Sequence, residues 1–443
     1  MSRVGGLRLG PLVAVMYFTV SGGPFGLEGL VSSVGPGVAL LLLVATPILY
    51  SMPETLLIGE LASMLPAEGG YYQWVKRAFG RSWGFTNGWV SWVYSLIDMA
   101  IYPVLFLQYL RFFLPGLTRL EGWLLALVLI WGATWLNLRG TRVVGTASGW
   151  FVALVLAPFA VLAVAALARW AGGPGLSFTP FHAPGTSFLG ALGLGISQAI
   201  WNYSGWDNAS TIGGEIDEPG STYPRALARA LPLVAGVYLL AIVPALAVTE
   251  WTTWTDGAWP AIARVIVGPW LGVWLAAAGM VSALALFNAL LLSYSRVPLV
   301  MARDGFLPRC LAVTDERGTP RAAVIVSALA YSAFAPLSFG GLLAADVLLY
   351  TVALAMEFAA LIRLRRVEPE LRGSFRVPLG VAGLTVVASL PVLLLTLGVV
   401  LEVRSHEIGL PGVLIAAALA ALGPILYATT GRARSLDASP DGR

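Results

Sequence analysis

Two stretches of the chain decide its fold: SGGPFG at residues 21–26 and WNYSGWDN at residues 201–208. Each lies inside an apolar segment long enough to cross a membrane. The first is rich in glycine and proline, which disfavour helix, and the second is a polar and aromatic run. Unwound backbone at membrane depth is tolerated only where protein or a water-filled cavity satisfies its N–H and C=O groups. The two stretches therefore predict two broken helices that face a central cavity.

The composition is that of a membrane protein. Of the 443 residues, 11% are charged and 58% belong to the apolar set, whereas soluble domains carry about 25% charged residues. A soluble enzyme, a disordered chain, a nucleic-acid binder and a disulfide-rich secreted domain are excluded. The single cysteine, Cys310, and two distant histidines, His182 and His406, predict no disulfide and no metal site. No cofactor and no obligate partner protein are predicted.

Apolar segments define the expected membrane spans. A helix needs about 20 mostly apolar residues to cross the hydrocarbon core. This criterion predicts an all-α polytopic protein with twelve transmembrane helices, at residues 10–33, 37–61, 85–114, 121–138, 144–169, 187–213, 230–250, 268–299, 322–338, 342–363, 379–401 and 408–429.

The basic residues predict how the chain threads the bilayer. With the N-terminus inside, 22 lysines and arginines fall in cytoplasmic segments and 5 in exterior segments. This distribution follows the positive-inside rule. Twelve spans return the chain to the same side, so we expect both termini in the cytoplasm and the protein in the plasma membrane. Residues 430–443 are then a cytoplasmic tail.

The two breaks occupy corresponding positions in two blocks of five spans. The first block is residues 1–169, with helix 1 broken near 21–26, and the second is residues 187–363, with helix 6 broken near 201–206. Because five is odd, the second block enters the membrane from the opposite side. Residues 379–429 add two helices. Interrupted helices in corresponding positions of two halves are typical of a secondary transporter's central site.

The sequence at and around the two breaks resembles that of transporters of the amino acid–polyamine–organocation (APC) superfamily, in its L-type amino acid and polyamine-uptake branch. The resemblance lies in YFTVSGGPFGLEGLVSSVGPG (17–37) and WNYSGWDNASTIGGEIDEPGSTYPRAL (201–227), and it continues in SMPETLLIGELASMLPAEGGYYQWV (51–75), MARDGFLP (301–308) and SFRVPLG (374–380). It implies the leucine-transporter-type fold, a five-plus-five inverted repeat with two added helices. It also implies proton-coupled or exchange transport of amino acids or amines by alternating access.

The same resemblance implies a substrate site between the breaks. Glycine amides on the first break would face a substrate carboxylate, while unwound carbonyls on the second would receive its ammonium group. An aromatic side chain on helix 6 would close over the substrate. The substrate-binding residues carried over in this way are Ser21, Gly22, Gly23, Phe25, Trp201, Asn202, Tyr203, Ser204, Gly205 and Asn288.

The chain departs from the family pattern at three places. Pro24 has no N–H, so one donor for a carboxylate is missing. Asn288 stands where polyamine members tend to carry an acid, and it could contact substrate or bond another helix. Residues 144–168 contain no lysine or arginine. Coupling through a lysine that stands in for a sodium ion is therefore not predicted.

Acidic side chains inside membrane spans are costly and usually mark a functional path. Glu28, Asp98 and Asp207 lie at or near the breaks. We expect Glu28 to carry the coupled proton or bind a substrate amine, with Asp98 or Asp207 assisting. The alternative for each is a structural hydrogen bond. Glu60 is expected to pair with a basic residue, and Glu357 to join an interfacial ion pair.

The leading functional expectation is a secondary transporter of amino acids or related amines, coupled to protons. A polyamine or organic cation symporter and an amino acid exchanger are the alternatives, followed by a nutrient sensor that does not transport. An enzyme is not expected, because no metal spacing, nucleophile elbow or phosphate loop is present. Acids around one cavity would favour a cationic substrate, whereas glycine amides would favour a zwitterionic amino acid. The sequence leaves this choice open.

Overall fold

A computed structural model of the protein describes residues 7–139, 142–171, 180–316, 318–336, 339–405 and 416–428. These residues form helices joined by short connections, with isolated β-bridges at Leu7–Ile216 and Glu68–Ile212. Within them, eight helices are long and apolar enough to cross a membrane. The expected all-α membrane architecture is thus confirmed. The count of twelve spans and the division into repeats stay predictions, and the tail at 430–443 lies outside the described residues.

The helices are numbered here in chain order over the described residues. They are α1 Leu9–Val20, α2 Leu27–Val34, α3 Pro36–Met64, α4 Gly70–Phe79, α5 Arg81–Leu110, α6 Arg119–Leu138, α7 Arg142–Trp170, α8 Phe188–Asn202, α9 Pro219–Val248, α10 Trp259–Ile266, α11 Pro269–Tyr294, α12 Arg296–Arg303, α13 Arg321–Phe334, α14 Phe339–Val367, α15 Val381–Ser405 and α16 Ala416–Ala428.

The first break separates α1 from α2. Gly22, Gly23 and Gly26 adopt φ values of 60°, 121° and 90°, which residues with a Cβ rarely adopt. A Cβ on Gly22 would lie 2.6 Å from the side chains of Ser282 and Leu286 on α11. Glycine is therefore required here both for the backbone conformation and for the close approach of α11.

The second break begins two residues later than the sequence indicates. Trp201 and Asn202 belong to the last turn of α8, and the unwound backbone starts at Tyr203. Only short 3₁₀ turns follow, at Asn208–Thr211 and Gly213–Glu215. The predicted helical span to residue 213 is therefore too long, because Gly205, at φ 100°, turns the backbone away from helical geometry.

A buried ion pair joins α3 to the end of α14. Both oxygens of Glu60 accept from the Arg365 guanidinium, at 2.6 Å from Nε and 2.5 Å from Nη2. The same carboxylate accepts the backbone N–H of Val377 at 2.8 Å. The expected pairing of Glu60 is confirmed. The expected interfacial ion pair of Glu357 is wrong, because Glu357 is fully buried and neither of its carboxyl oxygens has a hydrogen-bond partner among the described residues.

Removing the cation of this buried pair is expected to destabilise the protein strongly. Arg365→Met leaves the Glu60 carboxylate buried without its partner, at a cost of about 3–5 kcal/mol. Unfolding in detergent, followed by heat or denaturant, measures the loss. The matched control is Arg77→Met, because the Arg77–Glu368 pair is exposed to solvent and solvent screens such pairs. Equal destabilisation by both variants would contradict the assignment.

The single cysteine reports the orientation expected from the basic residues. Cys310 is exposed, in the connection between α12 and α13, which the sequence places in the cytoplasm. A membrane-impermeant maleimide should therefore leave Cys310 unmodified in intact cells and modify it after permeabilisation. The control carries Cys310→Ser and Thr252→Cys, because Thr252 is exposed in the loop between α9 and α10, and it should be modified in intact cells. The reverse pattern would show the opposite orientation.

Candidate functional site

A cavity lies between the two breaks, with an empty volume of about 430 Å³ that includes space open to solvent. Both breaks contribute to its wall, together with α5, α11 and α14. Its lining residues are Thr19, Val20, Ser21, Tyr94, Asp98, Tyr102, Trp201, Asn202, Ser204, Gly205, Asn208, Leu286, Tyr294, Asp346 and Tyr350. The structure thus brings together several predicted site residues, namely Ser21, Asp98, Trp201, Asn202, Ser204 and Gly205.

The predicted amide donors of the first break lie outside this lining and have partners within the protein. The Gly22 N–H donates to the Tyr17 carbonyl at 3.1 Å. The Gly23 N–H donates to the Ser21 hydroxyl, also at 3.1 Å. In this conformation neither amide is available to a substrate carboxylate.

Carbonyls of the second break are satisfied in the same way. The Asn202 carbonyl accepts from the Tyr238 hydroxyl at 2.7 Å. The Tyr203 carbonyl accepts from Ser51 Oγ at 3.1 Å and from Trp206 Nε1 at 2.7 Å. Tyr203 itself does not line the cavity, and its ring packs against Tyr238. Side chains of α9, of α3 and of the break itself therefore satisfy these carbonyls.

Phe25 belongs to an aromatic cluster instead of the cavity wall. Its ring lies 5.0 Å from that of Tyr109 and 5.1 Å from that of Phe159, and Phe159 in turn contacts Trp259 on α10. The Trp259 indole donates to the Pro24 carbonyl at 2.7 Å. These contacts join the first break to α10, which the sequence places on the exterior side.

Glu28 lies beside this cluster and outside the cavity lining. Its Oε1 accepts from the Tyr109 hydroxyl at 2.5 Å and from the Gly257 N–H at 3.0 Å, and its Oε2 accepts from the Gly26 N–H at 2.9 Å. Three donors on one carboxylate tie the first break to α5 and to the loop before α10. Asp256 in that loop is exposed overall, but its carboxyl packs against Gly29 of α2, and the partial loss of water there raises the pKa of the carboxyl.

Asn288 also points away from the cavity. Its Oδ1 accepts from Asn137 on α6 at 2.8 Å, and its amide nitrogen donates to the Leu284 carbonyl at 2.8 Å. The sequence allowed Asn288 either to contact substrate or to bond another helix. The contacts described here are hydrogen bonds within and between helices.

Two carboxyl groups line the cavity, Asp98 and Asp346. Asp98 accepts from Tyr102 at 2.9 Å, from Tyr294 at 2.9 Å and from the Trp201 indole at 3.4 Å. Asp346, on α14, is 5% exposed, and its Oδ1 has no hydrogen-bond partner among the described residues. No described residue in the lining is lysine, arginine or histidine.

Sequence reasoning missed Asp346. The signal was present, because Asp346 is an acid inside the predicted span 342–363 and meets the criterion that selected Asp98. It stands far from both breaks along the chain, and only the packing of α14 against α5 brings it to the cavity.

A second group of buried carboxyls meets at Tyr350, whose ring lines the cavity. The Tyr350 hydroxyl lies 2.6 Å from Glu54 Oε1 and 2.7 Å from Asp207 Oδ1. It also accepts the Gly205 N–H at 3.0 Å, while Glu54 Oε1 accepts the Trp206 N–H at 3.2 Å. Asp207, predicted as a site residue, thus belongs to this group and not to the cavity lining.

Comparison with known proteins places the chain in a family. Residues 12–425 match the family model described as amino acid permease. A probable polyamine transporter of Arabidopsis thaliana is 36% identical over 87% of this chain and 77% of its own length. Polyamine transporter PUT1 of Oryza sativa subsp. japonica is 36% identical over 84% and 70%. The aromatic amino acid transport protein AroP of Escherichia coli is 27% identical over 78% of each chain.

The family model spans the part of the chain that forms the fold and the cavity described above. The match covers both breaks and every cavity-lining residue. The family model and the polyamine transporters among the relatives indicate a transporter and not an enzyme. This chain is therefore a multi-pass membrane transporter that belongs to the amino acid permease family of the APC superfamily.

Proposed function

We propose that the protein imports polyamine-type organic cations in symport with protons. The observation that carries this proposal is the pair of carboxyl groups, Asp98 and Asp346, that line one cavity without a basic residue among its described lining. A diamine carries two ammonium groups, and each finds one anionic partner in such a cavity. The polyamine transporters among the relatives support the same substrate class.

The two carboxyl groups differ in what they offer a cation. Asp98 is oriented by three donors, from Tyr102, Tyr294 and Trp201. Asp346 has an unpartnered oxygen, so an ammonium group there would satisfy a buried acceptor that otherwise stays unsatisfied. Binding is favoured because a buried carboxylate costs several kcal/mol until a cation pairs with it.

Aromatic rings complete the cation site. Tyr94, Tyr102, Trp201, Tyr294 and Tyr350 all line the cavity. Ring faces attract ammonium groups, by about 0.5–2 kcal/mol each, and they also cover the methylene groups of an alkyl diamine. This lining suits an elongated cation with an apolar middle.

An amino acid substrate has less support from the site. A zwitterion needs a receptor for its carboxylate, and the amides of Gly22 and Gly23 already donate to Tyr17 and Ser21. The aromatic amino acid permease among the relatives keeps this alternative as the second candidate. A competition assay between a polyamine and an amino acid distinguishes the two candidate functions.

We propose the membrane layout that the sequence predicts. Twelve spans would form a five-plus-five inverted repeat at residues 1–169 and 187–363, followed by two helices at 379–429. Both termini would lie in the cytoplasm, with the protein in the plasma membrane. The cavity would then open alternately to the two sides as the broken helices move.

Uptake into proteoliposomes tests the substrate class. With the membrane potential held at zero and the outside acidic, putrescine should accumulate, and unlabelled leucine should not compete with it. Asp346→Asn should weaken putrescine binding by about tenfold to a hundredfold, because a hydrogen bond to a charged group contributes about 1.5–3 kcal/mol. Radiolabelled uptake and binding measure both effects.

The control for this test is Glu250→Gln, which removes an exposed acid in the loop between α9 and α10. It should leave putrescine binding unchanged, since it lies away from the cavity. Leucine accumulation that putrescine fails to inhibit would overturn the polyamine assignment and favour the amino acid alternative.

A further inference from the structure

We infer that the coupled proton binds at three buried carboxyls, namely Glu54 and Asp207, which meet at Tyr350, together with Glu357 on the same helix as Tyr350, and not at Glu28. This inference rests on the proposed proton symport and names the site that performs it. The three carboxyls are separate from the pair that we assign to substrate, Asp98 and Asp346. One proton enters from the acidic side, binds a carboxylate oxygen and leaves to the other side, with no other bond made or broken.

The first argument counts hydrogen atoms at the Tyr350 hydroxyl. Its oxygen lies 2.6 Å from Glu54 and 2.7 Å from Asp207, so each contact requires a hydrogen atom between the two oxygens. The hydroxyl supplies only one, and the Gly205 N–H already donates to the same oxygen. The other hydrogen must belong to a carboxyl group. Glu54 and Asp207 therefore share one bound proton in this conformation.

Glu357 supplies a third carboxyl, which interacts electrostatically with Asp207 and Glu54 and is faced by the Asn87 amide. It is fully buried on α14, and both of its oxygens lack hydrogen-bond partners among the described residues. An ionised carboxylate in that position would be costly, so the neutral, protonated form is favoured. The three carboxyls together therefore form a site that gains protons when they are available.

No described basic residue offsets this acidic group. The titratable side chains that face it are tyrosines from five packed helices: Tyr50 on α3, Tyr71 on α4, Tyr94 on α5, Tyr223 on α9 and Tyr350 on α14. Tyrosine remains neutral at ordinary pH. Among the described side chains of this site, only the three carboxyls can therefore change their charge.

The site is linked to the cavity through the second break. Two successive backbone N–H groups, of Gly205 and Trp206, donate to Tyr350 and to Glu54. Gly205 and Tyr350 also line the cavity. Loss of the shared proton would break one of the short contacts at Tyr350 and release the backbone that forms the cavity wall. Proton binding and cavity shape are coupled by these bonds.

Glu28 is also fully buried, but its hydrogen bonds differ from those of this group. Tyr109, Gly26 and Gly257 place three donors on its two oxygens, and such donors favour the ionised carboxylate. It therefore needs no proton to be satisfied in this conformation. Glu28 holds the first break against α5 and the loop before α10, and it serves as the comparison for the test.

The test measures the steady-state accumulation ratio, which depends on coupling and not on turnover. Proteoliposomes of the full-length protein receive an imposed difference of one pH unit, with the membrane potential held at zero by potassium and valinomycin. One proton per putrescine sustains an accumulation of about tenfold. We expect this ratio for the wild type, for Glu28→Gln and for the control Glu250→Gln.

Glu54→Gln and Glu357→Gln should lower the ratio to about one, because a glutamine amide does not carry the proton. Both should still bind putrescine and exchange it across the membrane. Putrescine should no longer drive proton entry, which a trapped pH dye reports. A purely structural role would instead lower binding, exchange and accumulation together. Tyr350→Phe, which removes only the bridging hydroxyl, should also lower the ratio.

Two results separate the inference from the proposed function. If either Glu54→Gln or Glu357→Gln keeps the tenfold ratio, or if Glu28→Gln abolishes it, the proton site is assigned wrongly. If the wild type binds putrescine but shows no accumulation under the pH difference, proton symport itself is wrong. If the wild type does not bind putrescine, the substrate class is wrong.

Discussion

The structure depends on one constraint: backbone that leaves the helix inside a membrane must find hydrogen-bond partners within the protein. Side chains from neighbouring helices provide them at both breaks. Ser282 donates to the Gly22 carbonyl, Trp259 to that of Pro24, and Tyr223 to that of Trp206. Each bond fixes a helix beside a break, so the packing of α9, α10 and α11 follows from the need to satisfy unwound backbone. A cavity remains where the two breaks face each other.

The same constraint separates the buried acids by role. Asp98 and Asp346 face the cavity, and one oxygen of Asp346 is left without a partner among the described residues. Glu54 and Asp207 meet at Tyr350, where backbone N–H groups of the second break also converge. In the function that we propose, the first pair binds a cation and the second group binds a proton, while the Tyr350 side chain contacts the second group and lines the cavity.

Particular residues show how far sequence reasoning reached. Glycines at 22, 23 and 26, together with Pro24, predicted the first break because these residues disfavour helix, and in the structure the three glycines adopt positive φ values. Trp201 and Asp98 were expected at the cavity and line it. Asn288 and Phe25 were expected there and are turned to other partners, since the direction of a side chain depends on how its helix is rotated. Asp346 was overlooked, although its position inside a predicted span was visible.

By itself the sequence determined the class of the protein, because few charges and long apolar segments belong only in a bilayer. It also determined the breaks, because glycine, proline and polar runs do not sustain a helix. Only the tertiary structure decided which acids lie close together. Glu54, Asp207 and Glu357 come from three separate segments, and no local pattern relates them. Glu54 and Asp207 meet at Tyr350 because α3, α14 and the second break pack side by side, and Glu357 is buried on the same helix as Tyr350.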